Sequence, residues 1–146
     1  MWVNFVRVSP TVLDQMKADP SLLEQLVFDP DDVTIDGVDP DTDVTGEDYR
    51  TWCAPYFEHL ESEEGKERME ADPMYRAVNG PHELAYEFCY GPASYNDPEA
   101  VKAIAKDWAS WYQPDELEDD ERGDVMFFLF FREAAERGQA VICGVS

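Results

Sequence analysis

The sequence predicts an α+β fold, mostly helical around a small sheet that contains the N- and C-terminal strands, and three observations carry that expectation. Met1 to Val8 is rich in β-branched and aromatic residues on both alternating faces. Ala140 to Val145 is a second short apolar stretch at the other end. Between them, Ser or Asp directly before Pro recurs at Ser9-Pro10, Asp19-Pro20 and Asp97-Pro98, each followed by a segment of helical character. With 146 residues, 44% of them hydrophobic and 13% aromatic, one domain over 1–146 with a sizeable core is expected.

Taken in order, Trp2, Val6 and Val8 alternate with Val3 and Phe5, the pattern of a strand covered on both sides. Ser9 is placed to cap a helix and Pro10 to occupy its first position, where a missing N–H costs nothing. After Asp19-Pro20, Leu22, Leu23, Leu26 and Val27 define the apolar face of a second helix. Asp29 to Asp48 holds eight Asp with Pro30, Gly37, Pro40 and Gly46, a composition that favours turns and solvent over a packed core. Thr45 and Asp48 read as a capping box ahead of a helix through Tyr49, Trp52, Cys53, Tyr56, Phe57 and Leu60, kinked at Pro55. Glu61 to Glu70 reads as a solvated helix face.

Pro73 opens a short helix through Met74, Tyr75 and Val78, ended by Asn79-Gly80. Pro81 to Tyr90 fits either helix or strand. Asp97-Pro98 starts a helix with Val101, Ile104, Ala105, Trp108, Trp111 and Tyr112 on one side. An acidic linker, Pro114 to Gly123, leads to a largely buried helix over Val125 to Arg137, ended by Gly138, with strand the alternative for its first half. Ala140 to Val145 then pairs with the opening strand.

The charge balance bounds function more sharply than any motif. Against 33 Asp and Glu stand 11 Lys and Arg, a formal net of −22. Such a surface repels phosphate backbones and anionic headgroups, so no nucleic acid and no membrane partner is expected. Solubility alone is served by a net charge of ~2 to 8, and the surplus turns attention to a basic protein partner. High-salt adaptation is the other account of the acidity, though it usually accompanies a thinner apolar core. The opening MWVNFVRVSP has no basic leader, and the run Val125 to Phe131 is far short of a bilayer span, so a cytoplasmic protein is expected. Cys53, Cys89 and Cys143, widely spaced without CxxC, read as reduced, buried thiols.

Candidate sites are few. Asp41-x-Asp43-x-Thr45-Gly46 and Asp32-x-Thr34-x-Asp36-Gly37 match the first half of a calcium loop, but Trp52 stands where one needs its bidentate Glu and Pro40 interrupts the other. His82-Glu83-Leu84-Ala85-Tyr86 resembles a zinc protease signature without its second histidine. No metal and no cofactor is expected. Cys89, between Phe88 and Tyr90, reads as an inert thiol rather than a nucleophile. No GxSxG, Walker or dinucleotide glycine pattern occurs.

Four local signatures stand together: Val8-Ser9-Pro10 after the opening strand with a leucine-rich helix pair; Pro73-Met74-Tyr75-Arg76-Ala77-Val78-Asn79-Gly80; Tyr90-Gly91-Pro92-Ala93-Ser94-Tyr95 leading to Glu99-Ala100-Val101; and Phe131-Arg132-Glu133-Ala134-Ala135. In these the chain resembles the YfbM-like family, bacterial proteins grouped as a domain of unknown function. The chain departs from the family's Trp-x-x-x-His segment, having Tyr56 four residues after Trp52, with Pro55 intruding and the histidine at His59. The resemblance implies an α+β fold, an intracellular location and no established activity, and it supplies no catalytic residues.

The functional expectation is a noncatalytic binding or interaction protein that presents an acidic face to a basic partner, through Asp31, Asp32, Asp36, Asp39, Asp41 and Asp43 with Asp119, Asp120 and Glu121 as a second cluster. The alternative is a small enzyme or ligand-binding protein with carboxylate chemistry and an aromatic-lined pocket near the Gly91-Pro92 turn, built from Arg76, His82, Tyr86, Tyr90, Tyr95 and Trp108. The oligomeric state is left open by the sequence.

Overall fold

The computed structural model describes residues 2–29, 32–38, 49–55, 71–112 and 123–146, with 49–55 described as backbone. Strand β1 (Trp2–Val8) lies second from one edge of a five-stranded antiparallel sheet of order β2-β1-β5-β4-β3. Its partners are β2 (Tyr49–Pro55) and β5 (Ala140–Val145), in registers from Trp2↔Pro55 to Val8↔Tyr49 and from Val3↔Val145 to Val8↔Ala140. The expected pairing of the two terminal strands is therefore present. The other strands are β3 (His82–Phe88) and β4 (Gly91–Asn96), a hairpin whose β4 joins β5 at Ser94↔Cys143.

Helices cover both faces of the sheet, which is why β1 alternates between two sets of apolar residues rather than between apolar and polar. On one face Val6, Val8, Ile142, Leu84 and Phe88 pack against α1 (Pro10–Ala18) and α2 (Leu22–Phe28). On the other, Val3, Phe5, Val141 and Cys143 meet α3 (Pro73–Val78), α4 (Pro98–Ala109) and α5 (Gly123–Arg137). Trp108 anchors this second core, fully buried and edge-on to Phe127 with ring centroids 4.9 Å apart. Trp2 and Trp111, expected to face a core, are instead half exposed: Trp2 begins the sheet and Trp111 lies beyond the last turn of α4.

The helix starts follow the Ser/Asp-Pro signals. Ser9 Oγ accepts from Val12 N (3.3 Å) and Asp97 Oδ1 from Ala100 N (2.8 Å); Asp72 Oδ1, ahead of Pro73, accepts from Met74 N and Tyr75 N. At Asp19-Pro20 the carboxylate instead holds Ser21, and α2 begins at Leu22. Helix α5 ends at Gly138, whose φ of +66° only glycine adopts cheaply, and Gln139 N closes the end on Ala134 O (2.9 Å).

Two expectations are corrected. Tyr49 to Pro55 is a strand, not the first half of a kinked helix: Tyr49, Thr51, Trp52 and Cys53 favour β backbone as readily as they mimic helical spacing, and at the end of an edge strand Pro55 forfeits little. The acidic loop is also less solvated than its composition suggests. Val33, Ile35 and Val38 are buried in the α1–α2 core, and Gln25 Oε1 accepts from Thr34 N (2.8 Å), while Asp32 and Asp36 stay exposed. The capping box expected at Thr45–Asp48, the helix expected to continue past Pro55, the solvated face expected over Glu61–Glu70 and the linker expected from Pro114 all fall outside the described residues.

Candidate functional site

Charge is unevenly divided between the two helical layers. From Pro10 to Val38, Asp14, Asp19, Glu24, Asp29, Asp32 and Asp36 are all exposed, and Lys17 is the single cation of that stretch. Even Lys17 is engaged, 3.5 Å from Asp14 and 5.2 Å above the Tyr95 ring. The α3–α5 layer, by contrast, carries Arg76, Lys102, Lys106, Arg132 and Arg137, and much of its charge is paired, as in Arg76–Asp107 (2.6 Å) and Arg137–Glu133 (3.0 Å). Amid the acidic layer Phe28 is 56% exposed at the end of α2, its ring 6.2 Å from that of Phe88. Of the acidic residues singled out in the sequence, Asp32 and Asp36 belong to this surface; Asp31, Asp39, Asp41, Asp43, Asp119, Asp120 and Glu121 lie outside the described residues.

A cleft of about 320 Å³ opens beside the Gly91-Pro92 turn. It exists because β4 and β5 part company: they pair from Ser94 to Asn96, but Pro92 has no N–H to extend that ladder and Gly91 turns away with φ of +133°. Beyond the gap, Tyr90 N donates to Val145 O at 3.1 Å and rejoins the two. A second wall is the α3–β3 connection. Ser94 Oγ fastens it by accepting from Gly80 N (3.2 Å) and donating to Val78 O (3.3 Å), and Gly80 lies so close to the Tyr95 backbone that any Cβ would collide with it. Below, Asn96 Nδ2 donates to the carbonyls of Arg76 and Ala77, so β4 side chains tie off the end of α3.

The buried Cys143 thiol contributes to the lining, and burial pushes its pKa up, which keeps it protonated and unreactive at neutral pH. Glu83 and Tyr90, both exposed, line the cleft as well, and among the described residues lining it there is no Lys, Arg or His. The Ser94 hydroxyl is already spent on backbone groups. The arrangement therefore offers a negative charge, an aromatic face and hydrogen-bonding groups rather than an activated nucleophile.

Of the six residues expected in a pocket here, Tyr90 lines the cleft and the others are dispersed. Arg76 borders a separate cavity of about 180 Å³ with Asn96 and Ile104. Tyr86 and Tyr95 pack with the α1–α2 core on the opposite face, because residues an even number apart on one strand share a face. Burial, with the Glu24 carboxylate and Cys89 adding to it, pushes the Tyr86 phenol up. His82 stacks on Tyr95 at 4.9 Å with Nε2 3.8 Å from Asp97, and Trp108 is core. The His82–Tyr86 motif sits on a strand, where no helical one-turn spacing of ligands is available. Cys89, expected to be buried, is exposed at the β3–β4 turn; Cys143 is buried as expected. Not expected in the cleft were Gly80, read only as part of the Asn79-Gly80 helix stop, Glu83, read only within the His82–Tyr86 motif, and Gly144.

Among the described residues, no group of three His, Cys, Asp or Glu could hold a metal ion, and no helix is long and apolar enough to cross a membrane. The family model described as a domain of unknown function (DUF1877) matches residues 1–119. No curated protein and no solved structure matches the chain.

Proposed function

Because the chain belongs to the DUF1877 family, whose description assigns no activity, we propose its function from physical chemistry: it is a noncatalytic binding protein whose α1–α2 layer presents an acidic face to a basic protein. The observation that carries this reading is the one-sided charge. Among the described residues, six exposed carboxylates against one engaged lysine give this layer a net negative charge, which steers a cationic partner at long range and weakens as salt screens it. Phe28 gives the same face an apolar anchor, the kind of exposed aromatic that supplies affinity where rim charges supply mainly rate.

The test compares two charge-reversal variants of equal net charge on the immobilised protein. Glu24→Lys with Asp32→Lys alters the acidic face; Glu99→Lys with Glu136→Lys alters exposed positions of the opposite layer. The wild type and the second variant should retain the same basic proteins from a lysate at low salt and release them at high salt, while the first variant retains none of them. Equal loss in both variants would show mere ion exchange by net charge and defeat the proposal. Phe28→Ala should speed release with little change in the association rate.

A further inference from the structure

We propose that the cleft between β4 and β5 is a binding site for a small organic cation bearing a primary ammonium group. It lies on the sheet face opposite the acidic α1–α2 layer, so it is a second site that stands or falls separately from the proposed docking face. Its lining selects the charge of the ligand. Glu83 supplies a carboxylate, Tyr90 an exposed ring whose π-face attracts cations, and no described lining residue carries positive charge to oppose one. Its volume of about 320 Å³ is at the low end for ligand pockets, which favours a small molecule over a folded partner.

The walls are fixed before any ligand arrives. Gly80 is wedged against the Tyr95 backbone, Ser94 bonds both Gly80 and Val78, and on the reverse of β5 a Cβ at Gly144 would strike the Phe88 ring, so the strand that forms one side cannot shift freely. A preformed cleft loses little ordering entropy on binding. The neutral Cys143 thiol adds no competing charge. The overall charge of −22 raises the local concentration of any cation at the mouth, but the carboxylate and ring that line the cleft are what distinguish bound from merely condensed amine.

The experiment titrates the full chain with 1,5-diaminopentane and, separately, with 1,5-pentanediol, following backbone amides by NMR at physiological salt. Expected is saturable binding of the diamine with shifts centred on Gly91 and Gly144, tenfold or more weaker binding of the diol, and a tenfold or larger loss in Glu83→Gln. Tyr90→Ala should weaken the diamine several-fold. Both substituted side chains are exposed, so the variants should keep the wild-type spectrum away from the cleft. Equal binding of diol and diamine, an unchanged Glu83→Gln affinity, or shifts confined to the α1–α2 carboxylates would each overturn the assignment; so would a capped lysine tripeptide binding more tightly than the free diamine. The Glu24→Lys, Asp32→Lys variant should bind the diamine in the cleft like wild type, which separates failure of this site from failure of the acidic face.

Discussion

The buried Arg7 offers an asymmetric test of how α5 is held to the sheet. Arg7, next to last in β1, is 1% exposed, with Nη2 2.9 Å from Glu133 Oε1, Nη1 2.5 Å from Oε2, and its guanidinium 5.7 Å from the Phe130 ring centroid. Glu133 is different: a third exposed and also 3.0 Å from Arg137. Glu133→Ala therefore strands a cation that water cannot reach, and should cost about 3–5 kcal/mol even though alanine favours the helix. Arg7→Met keeps an apolar stem beside Phe130 and leaves a carboxylate that retains Arg137 and solvent, so its cost should be about 1 kcal/mol or less. The double variant should resemble Arg7→Met alone, so the coupling in the cycle equals the Glu133→Ala cost, about 3–5 kcal/mol in magnitude. Urea unfolding followed by tryptophan fluorescence, with the slope unchanged between variants, measures all three. If Glu133→Ala proves no more destabilising than Arg7→Met, the argument from unequal desolvation is wrong.

Cys143 predicts an alkaline limit: its pKa is raised in the fold and ordinary in the unfolded chain, so its contribution is full below about pH 9 and declines as pH rises, by up to ~1.4 kcal/mol per unit. Tyr86, raised in the same direction, adds to the decline above about pH 10, and Cys143→Ala should flatten the earlier part of it in denaturation midpoints taken from pH 8 to 10.5. Gly80→Ala should cost about 2 kcal/mol or more, because backbone rather than a side chain must yield, whereas Gly123→Ala, with open space around it, should cost nothing measurable by thermal unfolding. Asn96→Ala leaves two carbonyls of α3 without their donor and should lower stability by about 1–3 kcal/mol, with faster amide exchange in α3.

The parts of the fold written in short-range signals were legible. Ser9-Pro10 and Asp97-Pro98 mark helix starts because a side-chain oxygen and a residue without an N–H satisfy the first turn locally, and Gly138 marks an end for an equally local reason. The sheet's extent was not legible in the same way. Tyr49 to Pro55 and Gly91 to Asn96 become strands through partners distant in sequence, and nothing in a seven-residue window reports that β1 and β5 will lie beside them. Val33, Ile35 and Val38 were hidden by the Asp residues around them, since composition averages over a pattern in which only the apolar positions turn inward.

The candidate sites divide along the same line. Acidity is a property of composition and could be read at once, but its concentration on α1 and α2 depends on which layer each helix joins, and that is a long-range fact. The cleft is more instructive, because the turn at Gly91-Pro92 was the right place to look while five of the six side chains expected there were not. The aromatics Tyr86 and Tyr95 are close to that turn in sequence, yet strand alternation sends them to the other face of the sheet. What the turn does supply is backbone: a proline that cannot extend the ladder and a glycine that turns away from it open the gap, and Glu83, Ser94 and Cys143 line it because β3, β4 and β5 bring them alongside. A cleft made by the ending of a ladder can be sought in other sequences as a Gly-Pro pair at the start of an inner strand, before any side chain in it is identified.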